Sequence, residues 1–194
     1  MHRICKKVFH DRLQWDVSII NEWEIDGFDA MDCVYNICLD DDGRVLGSNR
    51  LLPTTGYNML NDVFPELLPE GKRVESPLIW ESSRFSIDPD AEIDLTKNRL
   101  SRPTAELLLG MNEFCRRLGA THIVSVYDAF MARVLRRADC RAEPISSPVR
   151  IGKTIAFAAL FELGDEMEYN LRKASGITGP ILEQDYGQRD VSAA

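Results

Sequence analysis

Leu78 to Ile87 is rich in aromatic and β-branched residues and reads as a β-strand, yet Trp80-Glu81-Ser82-Ser83-Arg84-Phe85 sets two charged side chains inside it. Alternate residues of a regular strand face opposite sides, so Glu81 and Arg84 point away from each other. They share a pocket only if a β-bulge resets the alternation. Such a kink splays the neighbouring strands and opens a cleft.

The rest of the chain supplies the sheet and its helices. Ile4, Cys5, Val8, Phe9 and Leu13 recur at helical spacing, so the chain begins inside an amphipathic helix. Trp15 to Asp29 is mixed and acidic, as expected of a long functional loop. Cys33 to Leu39 and Val45 to Leu52 flank Asp40-Asp41-Asp42-Gly43 and predict a hairpin, after which Pro53-Thr54-Thr55-Gly56 breaks the sheet. Met59 to Leu68 reads as a short helix interrupted at Pro65. Thr104 to Leu118 sets Leu107, Leu108, Met111, Phe114, Cys115 and Leu118 on one helical face and ends at Gly119. A strand, Thr121 to Tyr127, then leads to a helix capped by Asp128, with Met131, Val134, Leu135 and Ala138 inward and Arg133, Arg136 and Arg137 outward. Thr154 to Leu163 is the last strong strand. The order predicts an α/β domain with a central mixed sheet over residues 1–163, and a surface helix and loose tail of the same domain over 164–194.

Composition excludes several classes. With 23 Lys and Arg against 31 Asp and Glu, the net charge of −8 argues against binding nucleic acid or anionic lipid broadly. The longest purely apolar run, Ile155 to Phe161, falls short of the roughly 18 residues of a membrane span. Five cysteines without a C-x-x-C pair read as reduced thiols, and no apolar stretch follows the basic N-terminus. A cytoplasmic protein is expected. Walker, dinucleotide-binding, nucleophile-elbow and zinc-protease motifs are missing from the sequence, and His2, His10 and His122 are widely separated. Neither a metal site nor a cofactor is expected.

Phe9, Trp15, Asp26, Asp29, Arg50, Phe64, Glu81 and Arg84 form a polar and aromatic set that the core does not require. Several have a plainer reading. Asp26 and Asp29 serve equally well as turn or cap carboxylates, and Trp15 and Phe64 as core aromatics. Arg50 lies in the apolar run Gly47-Ser48-Asn49-Arg50-Leu51-Leu52, where a guanidinium needs a buried carboxylate or a ligand.

The ordered combination resembles the acyl-homoserine-lactone synthases of the LuxI-type autoinducer family. It comprises Phe9, Trp15, Asp26, Asp29, Arg50 before Leu-Leu-Pro-Thr-Thr, Phe64 in Phe-Pro-Glu-Leu-Leu, and Trp-Glu-x-Ser-Arg-Phe from Trp80 to Phe85. The resemblance runs from about His2 to Leu163 and implies a fold similar to the GCN5-related N-acetyltransferases: a mixed sheet flanked by helices, with a bulged central strand and a V-shaped cleft. It also implies a reaction in which acyl carrier protein donates an acyl chain to the amine of S-adenosylmethionine, a substrate rather than a cofactor, followed by lactonisation and loss of methylthioadenosine. On this reading Phe9, Trp15 and Phe64 offer aromatic faces to the sulfonium and adenine. Glu81 is the candidate base, Asp26 and Asp29 orient the amine and the loop, and Arg50 and Arg84 match the substrate carboxylate or the loop carboxylates. Backbone N–H groups near Ser83 to Phe85 would stabilise the oxyanion.

Ser125 and Tyr127 fall on the strand where the family builds its acyl-chain pocket. Arg133, Arg136, Arg137, Arg141, Arg150 and Lys153 read as a dock for an acidic carrier protein, or as a solvated face. Arg44-Val45-Leu46-Gly47-Ser48-Asn49 misses the Q/R-x-x-G-x-G/A signature for coenzyme A, which favours the carrier protein. Cys5 stands where family members usually carry Arg, and the strand that opens the family fold is expected to be missing or to lie upstream. The alternatives are a non-catalytic relative that binds S-adenosylmethionine or carrier protein, and an N-acyltransferase for another amine.

Overall fold

A computed structural model describes residues 1–182 apart from positions 93 and 97. The N-terminal helix is α1 (His2–Cys5), which runs on as a π-helix over Lys6–Arg12 and buries Ile4, Cys5, Val8 and Phe9 on one face. The acidic loop that follows holds a small hairpin, β1 (Ile19–Ile20) with β2 (Trp23–Glu24), and a 3-10 turn, Gly27–Ala30.

The hairpin of β3 (Val34–Leu39) and β4 (Val45–Pro53) forms as expected. Its turn is organised by Asp40, whose Oδ1 accepts the N–H groups of Asp42 and Arg44 at 3.0 and 2.8 Å, while Gly43 takes φ of 78°. A short helix, α2 (Met59–Asp62), and a 3-10 turn, Pro65–Leu67, precede β5 (Ile79–Ile87). Then come α3 (Arg102–Arg117), β6 (His122–Asp128) and α4 (Ala129–Arg137). Two short strands unannounced by the sequence, β7 (Glu143–Pro144) and β8 (Val149–Ile151), both pair along β9 (Thr154–Glu162), and α5 (Asp165–Ser175) follows.

The main sheet has the order β3-β4-β5-β6-β9-β7, with β8 also on β9. Among the described residues only β5 and β6 run parallel, joined across the sheet by α3. Successive residues of the inner strands serve opposite faces. Ile123, Ala159 and Phe161 join the core under α3, whereas Val124, Ala156 and Ala158 join Leu60 and Leu67 on the other side.

The expected bulge is present. Between β4 and β5, Ser48 opposes Ser86 and Arg50 opposes Ser83, so two steps in β4 face three in β5. The extra length falls at Arg84, whose φ is 53°. Pairing of β5 with β6 ends at Ser82 and Ser125, while β6 stays paired to β9 as far as Asp128. The two central strands therefore separate beyond that rung, and a V-shaped cleft opens between them.

The helix expected after Gly164 forms, with Asp165, Glu166, Tyr169 and Lys173 exposed and Met167 and Leu171 buried in the main core. Two expectations need correction. Leu118 is half exposed, since it caps α3 instead of lying on its inner face. The acidic loop holds secondary structure of its own, in β1, β2 and the Gly27–Ala30 turn. The loose tail predicted beyond residue 182 lies outside the described residues. Among those residues, no helix is long and apolar enough to cross a membrane.

Candidate active site

The cleft encloses about 490 Å³. Its walls bring together Phe9, Trp15 and Phe64, then Glu81 and Arg84 from β5, and Ser125 and Tyr127 from β6. Phe9 and Trp15 pack together with ring centroids 5.4 Å apart. Beyond Ser125 the lining turns apolar, with Leu108, Met111, Ile123, Met131 and Val134.

Asp26, Asp29 and Arg50 lie behind this wall. Arg50 is fully buried, and all five of its N–H donors are used. Nη1 reaches Asp26 Oδ1 at 2.6 Å and Asp29 Oδ1 at 2.7 Å, Nη2 reaches Asp26 Oδ2 at 3.1 Å and Met59 Sδ at 3.3 Å, and Nε reaches Ser83 Oγ at 3.3 Å. Substrate and loop carboxylates were both open to Arg50, and in the fold it binds those of the loop.

Asp26 and Asp29 serve as turn carboxylates and as partners of the arginines. Asp26 Oδ1 caps the 3-10 turn by accepting the Phe28 N–H at 2.9 Å, and Asp29 Oδ2 accepts the Asp26 N–H at 2.8 Å. The remaining lone pairs hold the arginines. Asp26 Oδ2 also accepts Arg84 Nη2 at 2.8 Å, so a single carboxylate ties the buried guanidinium to the one on the cleft wall. Arg84 covers the Phe9 ring, 5.2 Å from its centroid, and lies 2.8 Å from Glu24 Oε1.

Glu24, Tyr35 and Met59 were not anticipated. Glu24 is buried, and its signal is the spacing to Asp26: residues two apart in extended chain share a side. Tyr35 stands directly across the hairpin from Arg50, a pairing readable once the turn at Asp40 fixes the register. Its hydroxyl donates to Asp29 Oδ1. Met59 sits at the start of α2, and no pattern in the sequence marks it as a partner of Arg50.

Four carboxylates, Glu24, Asp26, Asp29 and Glu81, meet two guanidiniums at this end of the cleft, a negative excess that favours a cationic ligand. Glu81 is buried, and its two oxygens accept the N–H groups of Met59 at 2.9 Å and Leu60 at 2.6 Å. Burial pushes its pKa upward, and those two N–H groups only partly oppose the rise. Burial likewise raises Glu24 against the attraction of Arg84. Asp29 goes the other way: burial would raise it, but the Tyr35 hydroxyl, the Asp26 N–H and Arg50 outweigh that and hold it below the usual carboxylate range.

The depressed Asp29 makes Tyr35 testable through stability. A pKa lowered by folding contributes stability above the unfolded value of about 3.9, and that contribution is lost as pH falls through the folded value. Tyr35→Phe is therefore expected to cost about 1–2 kcal/mol at neutral pH in urea unfolding, with the difference shrinking in acid. An unchanged midpoint at neutral pH would show that the hydroxyl holds nothing.

At the apex of the V, Ser125 Oγ donates to Ser82 O at 2.8 Å, across the last rung between β5 and β6. Tyr127 lies flat on Phe157, 5.7 Å between centroids. Arg133, Arg136 and Arg137 are exposed on α4, and Arg137 reaches the cleft. Arg150 is exposed on β8, and Lys153 in the turn after it. Arg141 is excluded from the free basic strip, because it pairs with Glu166 at 2.8 Å. Cys5 is buried with its Sγ 3.6 Å from Ser86 Oγ, and burial raises its thiol pKa. Glu24 Oε1 and Arg84 Nε have no hydrogen-bond partner among the described residues.

Residues 1–171 match the family model described as autoinducer synthase. An acyl-homoserine-lactone synthase of Agrobacterium fabrum is 38% identical over 158 residues, covering 81% of this chain and 75% of that protein. The crystal structure of the AHL synthase LasI has a TM-score of 0.79 and 32% identity, over 92% of this chain and 89% of that one. A CoA-dependent acyl-homoserine lactone synthase, MesI, gives a TM-score of 0.81 at 26% identity, over 94% of this chain and 89% of that one.

Proposed function

Because the chain belongs to the autoinducer synthase family, we propose that it is an acyl-homoserine-lactone synthase, an acyltransferase that acylates the amine of S-adenosylmethionine and lets the product cyclise. The observation that carries this reading is the two-ended cleft at the bulge: acidic and aromatic at one end, apolar at the other. S-adenosylmethionine has the matching cations. Its sulfonium and adenine would lie against Phe9, Trp15 and Phe64, where a desolvated cation–π contact contributes about 2 kcal/mol.

The substrate amine must lose a proton before it attacks the thioester carbonyl. Glu81 is the base in this scheme, directly or through a water, since each of its oxygens keeps a lone pair beyond the one held by a backbone N–H. The nitrogen–carbon bond forms as the donor thiol departs, with the oxyanion facing backbone N–H groups near Ser83 to Phe85. Asp26, Asp29 and Arg50 act as positioning residues that fix Arg84. The guanidinium of Arg84, on the cleft wall, would receive the substrate carboxylate. That carboxylate then attacks the γ-carbon and expels methylthioadenosine, a step for which the sulfonium is already a good leaving group. The acyl chain would run past Ser125 and Tyr127 into the apolar lining.

The proposed donor is acyl carrier protein, supported by the exposed Arg133, Arg136, Arg137, Arg150 and Lys153 and by the imperfect coenzyme A signature at 44–49. Purified protein supplied with S-adenosylmethionine and a panel of acyl carrier protein and acyl-CoA thioesters is expected to release lactone and methylthioadenosine in equal amounts, read by mass spectrometry. Absence of lactone with every donor would sink the proposal, and calorimetric binding of S-adenosylmethionine without turnover would select the non-catalytic reading.

A further inference from the structure

The rim of the cleft has the opposite charge to its depths. Arg12, at the end of the π-helix, holds its guanidinium carbon 5.2 Å from the centroid of Phe130. Arg133 on α4 holds its own 5.8 Å from the same centroid. Phe130 is half exposed and lines the cleft beside Arg12 and Arg137. None of Arg12, Arg133 and Arg137 forms an ion pair among the described residues. The nearby Asp128 is occupied as the cap of α4, with Oδ1 accepting the Met131 N–H at 2.8 Å.

Two guanidiniums held to one half-exposed ring leave uncompensated positive charge at the rim, which an anion bound there would offset. The planar forks suit the oxygens of a phosphate in particular. The cleft is thus bipolar, with excess carboxylate deep inside and unpaired arginine at its edge. A thioester donor carries one matching group whether it is a carrier protein or coenzyme A: the phosphate ester at the end of the pantetheine arm. We infer that Arg12 and Arg133, stacked on Phe130 with Arg137 alongside, clamp this phosphate and so set how far the thioester reaches toward the bulge. The inference rests on the proposed synthase reading and adds to it a site on the N-terminal helix that the docking strip on α4 and β8 does not include.

The test compares acyl-pantetheine with acyl-4′-phosphopantetheine of the same chain length, as donors to S-adenosylmethionine. The wild type is expected to favour the phosphorylated donor in kcat/KM by tenfold or more. Arg12→Gln and Arg133→Gln should each cut that ratio severalfold, and the double variant should bring it near one. Each variant is its own control, so partial loss of folded protein cancels in the ratio. A ratio near one in the wild type, or an unchanged ratio in the double variant, overturns the clamp while leaving the synthase reading intact. With acyl-CoA and acyl carrier protein as donors, Arg12→Gln should weaken both; an effect on the carrier protein alone means a protein-docking contact and also overturns the clamp. If no donor is turned over, calorimetry with 4′-phosphopantetheine and pantetheine decides separately. Tighter binding of the phosphorylated form, lost in the double variant, keeps the clamp although the synthase reading has failed, and equal binding removes it.

Discussion

Arg50→Met is expected to lower stability by about 3–5 kcal/mol, the usual cost of stripping one partner from a buried ion pair. Arg50 is fully buried, and Asp26 and Asp29 are largely so. Met fills similar space but offers no charge and no donor, so Asp29 keeps only Tyr35 and a backbone N–H, and Asp26 keeps Arg84 and one cap bond. Against a total stability of about 5–15 kcal/mol, such a loss moves the urea midpoint far and leaves part of the population unfolded at rest. Arg50→Lys should fall between, since one ammonium keeps the charge but cannot meet five acceptors in a plane. Adding Asp26→Asn and Asp29→Asn to Arg50→Met should recover part of the loss, because neutral amides need no counter-charge. A midpoint unchanged by Arg50→Met would show that the network organises nothing.

Glu81→Gln is expected to reduce kcat by about 10²- to 10⁴-fold, the range for loss of a positioned base. The amide also disturbs α2. Its one oxygen can serve only one of the Met59 and Leu60 N–H groups, and its NH₂ confronts the other donor, at a cost of about 1–3 kcal/mol. Lower activity alone therefore does not separate a base from a prop, and the pH profile does. Burial raises Glu81 in the folded state, so wild-type kcat/KM should fall on the acid side as Glu81 takes up a proton, with the limb displaced above the ordinary carboxylate value of about 4.3. A base predicts that Glu81→Gln erases this limb. A purely structural Glu81 predicts a uniformly slower enzyme with the limb kept.

Stability responds with its own sign. The folded state binds that proton more tightly than the unfolded chain, so Glu81 weakens the fold as pH rises from the unfolded pKa through the raised folded one. Gln does not titrate and removes that slope.

The periodicity of α3, the hairpin turn and the succession of helices and strands along the chain were legible because each depends on neighbours within a few residues, whereas the order of the strands in the sheet was not. The bulge was legible for a similar reason: Glu81 and Arg84 cannot share a pocket in a regular strand, and the pairing of β4 with β5 gains its extra residue at that point. β7 and β8 were not legible. They are two and three residues long, and they exist only because β9 presents an edge for them. The docking of α5 likewise depends on a core surface for Met167 and Leu171, which only the packed fold supplies.

The identity and order of Phe9, Trp15, Asp26, Asp29, Arg50, Phe64, Glu81 and Arg84 belong to the sequence, as does the demand that a charged residue inside an apolar strand find a partner. Partner choice was settled only by the tertiary structure. Arg50 is bound to the loop aspartates, Glu81 to the first N–H groups of α2, and Arg84 is divided among Asp26, Glu24 and the face of Phe9. Spacing along a chain restricts which side a residue faces, but a hydrogen bond or ion pair depends on positions within about 3 Å, and those are set by how the loop, hairpin and helices pack around the split sheet.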